Sequence, residues 1–300
     1  MQALWMVLAS LLFASMGVCV KIASGFFNSA ELVFYRGLLG MAFMWALART
    51  RGVSLATRYP GMHAWRSVVG VLSLGAWFYA IAHLPLATAM TLNYMSSVWI
   101  AAFLVGGALL AWNPLKPGNN KMFAQGPLVL TVLAGFAGVV MMLRPTIEQN
   151  QMFAGLIGLL SGLGAAFAYM QVMALAKVGE PETRTVFYFA VGSAVAGGLG
   201  MAVAGVSPWA WGPALWLIPV GVLASLGQLC MTRAYSHGAT LVVANLQYSG
   251  IVFGALYSLL LFGDQIPFMG WAGMTLIVAS GIAATVLRSR AAPDSPAEEH

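Results

Sequence analysis

The sequence predicts an all-α polytopic membrane protein, with ten transmembrane helices arranged as two inverted five-helix repeats and both termini in the cytoplasm. Composition, apolar run lengths and the placement of basic residues carry that expectation. Of 300 residues, 60% are apolar and only 7% are charged, against roughly 25% charged in an ordinary soluble domain. So few charges cannot clothe a surface that faces water. The net charge of +6 comes from 14 Lys and Arg spread along the whole chain, which form no basic patch able to track phosphates, so a nucleic-acid partner is excluded. Cys19 and Cys230 each lie within an apolar run. They show neither metal-ligand spacing nor a disulfide framework and read as small buried residues.

Apolar stretches of about 20 residues, the length that crosses the hydrocarbon layer, run at 2–20, 30–48, 66–84, 87–111, 126–143, 153–176, 184–205, 212–232, 239–262 and 267–287. All are read as helices, because an open sheet cannot satisfy its backbone in lipid. The first has no basic leader and is too long for a signal peptide, so it reads as a retained span. The second opens on Glu31 and carries Arg36 inside it, read as the one charge placed well within a span. The longest connections, near 49–65 and 112–125, hold Pro, Gly and Asn as turn breakers and leave no room for a soluble domain. The sixth span holds Gly155, Gly158, Gly162 and Gly164, and the seventh holds Gly192, Gly197, Gly198 and Gly200. Gly158 and Gly162 have the spacing that lets helices approach closely, within one chain, as a hinge or in a dimer. Residues 291–300 are polar and read as a disordered cytoplasmic tail.

With the N-terminus inside, the cytoplasmic side receives Arg49, Arg51, Arg58, Arg66, Lys116, Lys121, Lys177, Arg184, Arg233, Arg288 and Arg290, and the outside only Lys21 and Arg144. This follows the positive-inside rule. A repeat then emerges. Ala80-Ile81-Ala82-His83 and Leu92-Asn93-Tyr94 return as Ala234-Tyr235-Ser236-His237 and Leu246-Gln247-Tyr248 at an offset of 154. Val33-Phe34-Tyr35 returns as Val186-Phe187-Tyr188 at 153, and Lys21 matches Lys177 at 156. A unit of five spans is odd, so its second copy must cross the membrane in the opposite sense. Inverted repeats of this kind build many secondary transporters, with the substrate held at the repeat interface near the midplane.

On the segment Glu31-Leu32-Val33-Phe34-Tyr35-Arg36, the paired Ala80 and Ala234 segments, and the run 248–261 followed by Gly263-Asp264, the chain resembles the drug/metabolite transporter superfamily with its tandem EamA-type repeats. The resemblance covers residues 5–287. It implies a first repeat at 1–145, an external connection at 146–152 and a second repeat at 153–290. Asp264 stands where the family usually has glutamate, and Trp112-Asn113-Pro114 has no acid at the matching place. The proline common in the fourth and ninth spans is missing, with Ser97 and Gly250 or Ile251 near those positions. Asn93-Tyr94-Met95 looks most like the YddG-like amino-acid exporters, which implies export of amino acids, aromatic ones included, from a bacterial cytoplasm through the inner membrane.

Candidate chemistry follows from which polar groups lie deep. No Gly-Lys pair occurs, so there is no phosphate-binding loop for ATP and no cofactor is expected. No carboxylate sits mid-span: Glu31 and Asp264 are at helix ends, and Glu148, Glu180 and Glu182 are in connections. Proton relays usually need one there, so a facilitator or substrate-gradient exporter is favoured over an obligate proton antiporter. Arg36 lies about 9 Å along its helix, either snorkelling toward Glu31 or a headgroup or gripping a substrate carboxylate through paired hydrogen bonds. Its repeat mate is Phe189. Asn93 and Gln247 approach the midplane from opposite sides, as glue between helices or as neutral partners for an amino acid's charged ends. Tyr79, Tyr94, Trp99, Tyr169, Tyr188 and Tyr248 lie nearby as stacking candidates, and His83 and His237 occupy symmetric places suited to gating or coupling. Trp5, Trp45, Trp65, Trp112, Trp209, Trp211 and Trp216 are read as interfacial belts. An intramembrane enzyme is disfavoured, since Asp264 has no mate in any span. A nucleotide-sugar carrier or an exporter of cationic drugs is the alternative; the former would need clustered cavity cations, and Arg36 is the one counted. The partners expected are a small-molecule substrate and the lipid bilayer, with the chain a monomer or homodimer; no metal site is expected.

Overall fold

A computed structural model describes residues 4–110, 126–143, 151–238 and 240–291. Its helices are α1 (Trp5–Ala23), α2 (Ser29–Thr50), α3 (Pro60–His83), α4 (Leu86–Tyr94), α5 (Ser96–Leu110), α6 (Gly126–Leu143), α7 (Met152–Lys177), α8 (Glu182–Ala204), α9 (Trp211–Ala214), α10 (Leu217–His237), α11 (Thr240–Leu246), α12 (Ser249–Phe262) and α13 (Phe268–Ala291). Each of the ten apolar stretches is mainly helical where described, with breaks at Met95, at Leu215–Trp216 and at Gln247–Tyr248. Among the described residues, seven helical segments are by themselves long and apolar enough to cross a membrane: Trp5–Ala23, Ser29–Thr50, Pro60–His83, Met152–Lys177, Glu182–Ala204, Trp211–His237 and Val242–Phe262. The tail 292–300, Trp112, Lys116, Lys121, Arg144 and 144–150 lie outside the described residues.

The outside of the bundle is apolar and its inside holds the polar groups. Leu72, Leu130, Leu160, Leu199, Val203 and Leu260 are exposed, while Ser10, Ser96, Ser161, Ser193, Gln247 and Ser258 are buried. In water such a surface would drive aggregation; against lipid tails it costs nothing. Trp5, Trp45, Trp65, Trp209, Trp211 and Trp216 are all exposed, as belt residues are. Both cysteines are buried and free.

The most extensive helix pairings join the two halves: α2 with α8, α3 with α7, α6 with α13, and α1 with α10. Exchanging the halves maps α3–α7 onto α10–α1 and returns α2–α8 and α6–α13 to themselves. The mates α2 and α8 run antiparallel, since a Cβ on Gly197 would meet Phe34 while one on Gly37 would meet Ala190 and Ser193. This is the inverted relation that an odd repeat requires. The glycine stripe expected to serve packing, hinge or dimer is used within the chain: any side chain at Gly162 would run into the Leu92 carbonyl of α4.

The fourth and ninth apolar stretches are interrupted helices, although neither has a proline at its break. At Met95 the backbone N–H is shared between the Thr91 and Leu92 carbonyls, and at 247–250 the ladder tightens, with Gly250 N–H on the Gln247 carbonyl. Side chains at one break satisfy groups at the other. Ser97 Oγ donates to the Ala244 carbonyl at 2.6 Å, and Gln247 Nε2 donates to Ser96 Oγ at 3.3 Å. Polar side chains inserted at a break serve here where a proline serves elsewhere.

The third helix begins at Pro60, a residue suited to the first helical turn because its missing N–H is unused there, six positions before the apolar run read from the sequence. Arg66, counted above on the cytoplasmic side at the first position of its span, is therefore well inside α3, and it is 2% exposed.

Candidate functional site

The site is a cavity of about 40 Å³, room for a few waters, where α1, α2, α3, α4, α7, α8 and α10 meet. Arg36 from α2 and Arg66 from α3 both line it, with Phe189 of α8, Gln228 of α10, Asn93 and Tyr94 of α4, and Tyr169 of α7. Both arginines are buried, at 4% and 2% exposure. Their guanidinium carbons lie 5.1 Å and 4.0 Å from the Phe189 ring centre, so the repeat mate of Arg36 is the aromatic surface that both cations share. Arg36 Nη1 donates to Ser193 Oγ at 3.3 Å. Arg66 Nη2 reaches Gln228 Oε1 at 3.5 Å. Among the described residues, Arg36 Nε, Arg66 Nε and Nη1 and Trp77 Nε1 have no hydrogen-bond partner.

Arg36 does not snorkel toward Glu31. That carboxylate is taken by the start of its own helix and by the far half: Oε2 accepts from the Asn28 N–H at 2.7 Å and Ser207 Oγ at 2.6 Å, and Oε1 from the Ser207 N–H at 3.0 Å.

Of the sequence-derived candidates, the cavity brings together Arg36, Asn93, Tyr94 and Tyr169. Asn93 Nδ2 donates to Ser161 Oγ at 3.2 Å, which fixes the amide on the cavity wall. Gln247 is fully buried outside the lining. Its Nε2 also donates to Tyr169 OH at 3.3 Å, and its Oε1 accepts from Tyr235 OH at 3.0 Å and Ser97 Oγ at 3.4 Å. Gln247 thus binds the two helix breaks together and holds Tyr169 at the cavity wall. Tyr248 stands at the break between α11 and α12. Trp99 stacks on Phe103 with ring centres 6.3 Å apart. Tyr79 stacks on the exposed His83 at 4.1 Å, and His237, also exposed, lies 3.5 Å from Glu182. Tyr188 donates to the Leu55 carbonyl at 3.0 Å. These last seven residues, Gln247 included, do not line the cavity.

The sequence alone does not single out two groups: Arg66, counted with the cytoplasmic basic residues at the start of its span, and His63, one turn before it. His63 is 2% exposed, lies tilted against the Tyr188 ring with centres 4.6 Å apart and is 3.1 Å through Nε2 from Glu180 Oε2. Glu180, in the connection between α7 and α8, also accepts from Thr57 Oγ1 at 2.9 Å and from Arg184 Nη1 at 3.1 and 3.2 Å. Burial pushes its carboxyl up, but the hydrogen bonds from Thr57, His63 and Arg184 and the Arg184 charge outweigh that and hold it below the usual carboxylate value. Arg184 then donates through Nε and Nη2 to the Ser54 carbonyl at 2.9 and 2.7 Å. The cluster closes the end of the bundle that carries the α2–α3 connection.

Comparison with known proteins places this geometry. Residues 1–106 match the model of the EamA-like transporter family. The pseudopaline exporter of Pseudomonas aeruginosa strain PAO1 is 34% identical over 286 residues, covering 92% of this chain and 93% of that one. A riboflavin transporter of Rhizobium johnstonii is 28% identical, covering 93% and 89%. One crystal structure superposes with a TM-score of 0.73 at 20% identity, over 97% of this chain and 98% of the other.

Proposed function

The chain belongs to the EamA-like transporter family of the drug/metabolite transporter superfamily, and on that premise we propose that it exports small amphiphilic metabolites bearing a carboxylate, amino acids and aromatic ones among them, across a bacterial inner membrane. It is a multi-pass membrane transporter. Relatives named for pseudopaline and for riboflavin carry different cargo, so the family determines transport and leaves the substrate to the cavity. The observation that carries the reading is the buried pair Arg36 and Arg66 beside Asn93, Tyr94 and Tyr169, in a cavity walled by both halves. A guanidinium grips a carboxylate through parallel hydrogen bonds, and Phe13, Leu74 and Trp77 offer an apolar surface to the rest of the molecule.

Transport follows from the packing. A cavity of about 40 Å³ is too small for an amino acid, so substrate enters when one end of the bundle parts. Residues 1–145 and 153–290 are read as repeats that rock about the crossed helix breaks, exposing the cavity to each side in turn. Both termini lie in the cytoplasm, which places the Glu180 cluster on the inner side and Glu31 on the outer. With Arg66 moved into the bundle, the inner side keeps its excess of basic residues.

The test is counterflow of radiolabelled amino acids into proteoliposomes preloaded with unlabelled amino acid, with and without an imposed pH gradient. Saturable exchange that ignores the gradient is expected of a facilitative exporter. Absence of exchange for every carboxylate offered would overturn the reading, and a reporter fused near Arg58 that reads periplasmic would overturn the orientation.

A further inference from the structure

Resting on the reading of this cavity as the transport site, we infer that it is built for a small organic dianion, one anionic group for each guanidinium. Arg36 and Arg66 bring two fixed positive charges to one ring, that of Phe189, and no Asp or Glu lines the cavity. Each guanidinium carries five N–H donors, yet the polar contacts of the pair are Ser193 Oγ at 3.3 Å and Gln228 Oε1 at 3.5 Å. Both are neutral and long. Among the described residues, Arg36 Nε and Arg66 Nε and Nη1 remain unpartnered, and unsatisfied donors on buried charges are costly to leave so. The protein has assembled the donors of an anion seat without supplying its anion.

Charge matching then discriminates among carboxylates. A zwitterionic amino acid would neutralise one guanidinium and bring an ammonium, which finds neither a carboxylate nor any other anion in the cavity wall. A monocarboxylate would leave the second cation uncompensated. A substrate with two carboxylates, or with one phosphoryl group, neutralises both, and Trp77 Nε1, on a residue of the cavity wall, also lacks a partner among the described residues. Both guanidinium groups are buried, so these charges are screened less than in water, and charge ranks the carboxylates, dianions above amino acids. The clustered cations expected of a nucleotide-sugar carrier are thus present, and the phosphoryl option stands beside the dicarboxylate.

The experiment measures half-saturation for exchange in proteoliposomes, and binding to the purified full chain in detergent, using glutarate, glycerol phosphate, valerate and phenylalanine. One or both dianions are expected to bind roughly ten- to a hundredfold more tightly than valerate, as the loss of one charge-assisted contact pair predicts; which dianion leads identifies the anion. Arg66→Gln should erase the preference, and Arg66→Lys should retain part of it because charge survives without the fork geometry. Gln228→Glu, which completes an ion pair rather than breaking one, should shift preference toward valerate and phenylalanine, and it covers the case in which Arg66→Gln fails to fold. Equal affinities for all four compounds with exchange intact, or a dianion preference unmoved by Arg66→Gln and Gln228→Glu, would overturn this inference alone. No binding and no exchange for any of them would overturn the transport reading with it.

Discussion

The two ends of the α2–α8 pair are closed by the same residues of the repeat with opposite chemistry. At the end bearing the α1–α2 connection, the Glu31 carboxylate accepts from the N–H and hydroxyl of Ser207. At the opposite end its repeat mate, Arg184, donates twice to the carbonyl of Ser54, the mate of Ser207. Both serines sit in a Gly-Val-Ser turn, Gly52-Val53-Ser54 and Gly205-Val206-Ser207, whose glycines have φ of +64° and +81°. In that left-handed region a side chain would be strained. A backbone turn presents donors and acceptors together, so an anion or a cation at the same repeat position can hold it. The geometry is conserved between the ends and the charge is not. The cation brings a consequence that the anion does not: Arg184 needs Glu180, and Glu180 gathers His63 and Thr57. The Arg184 end is therefore a network, and the Glu31 end a single carboxylate shared with its own helix cap.

That difference is open to measurement. The largest effect is expected from Glu180→Ala, which strands a buried histidine and an arginine; breaking a buried pair costs about 3 kcal/mol or more, to be read as a fall in thermal midpoint in detergent. Glu31→Ala should cost less, about 2 kcal/mol, since it removes a carboxylate that accepts charge-assisted bonds but leaves no cation behind. A loss at Glu31 equal to that at Glu180 would break the contrast.

Acid should act on the network end. Because the folded Glu180 carboxyl is held below its ordinary value, its stabilisation is fully present above the unfolded carboxylate range and is lost as pH falls through the lower folded value. The midpoint of the native chain should fall on acidification in that window, and Glu180→Gln should flatten this limb. An unchanged acid limb would show that other carboxylates govern it.

The serines give the smallest and sharpest comparison. Ser207→Ala deletes a hydroxyl bonded to Glu31 and should cost about 1 kcal/mol. Ser54→Ala should lie within about 0.5 kcal/mol of the native chain, because Arg184 is held by the backbone carbonyl there and the Ser54 hydroxyl only accepts a 3.3 Å bond from the Ala56 N–H. Equal losses would mean that the two turns are held alike.

Much of this architecture was legible in the chain itself. Run length and hydropathy are local, so each span could be read without knowing its neighbours, and the offsets of 153 and 154 exposed the repeat because mates occupy the same place in each half. The inverted relation follows from parity alone, and α2 against α8 bears it out. Arg36, Asn93, Tyr94 and Tyr169 were recognisable as deep polar or aromatic residues, and the cavity gathers them. Arg66 was not recognisable as such. It opens the apolar run at 66–84, where it counts with the cytoplasmic charges, and only the start of α3 at Pro60 carries it into the bundle.

The sequence by itself determined the class, the spans and the repeat, because the cost of exposing backbone and charge to lipid acts residue by residue. Tertiary structure decided which polar groups meet. A helix turns its residues through 100° at each step, and the face that Arg36, Arg66 and Phe189 share depends on where three separate helices begin and how closely glycines let them pack. That convergence is a property of the assembled bundle, and hydropathy holds no record of it.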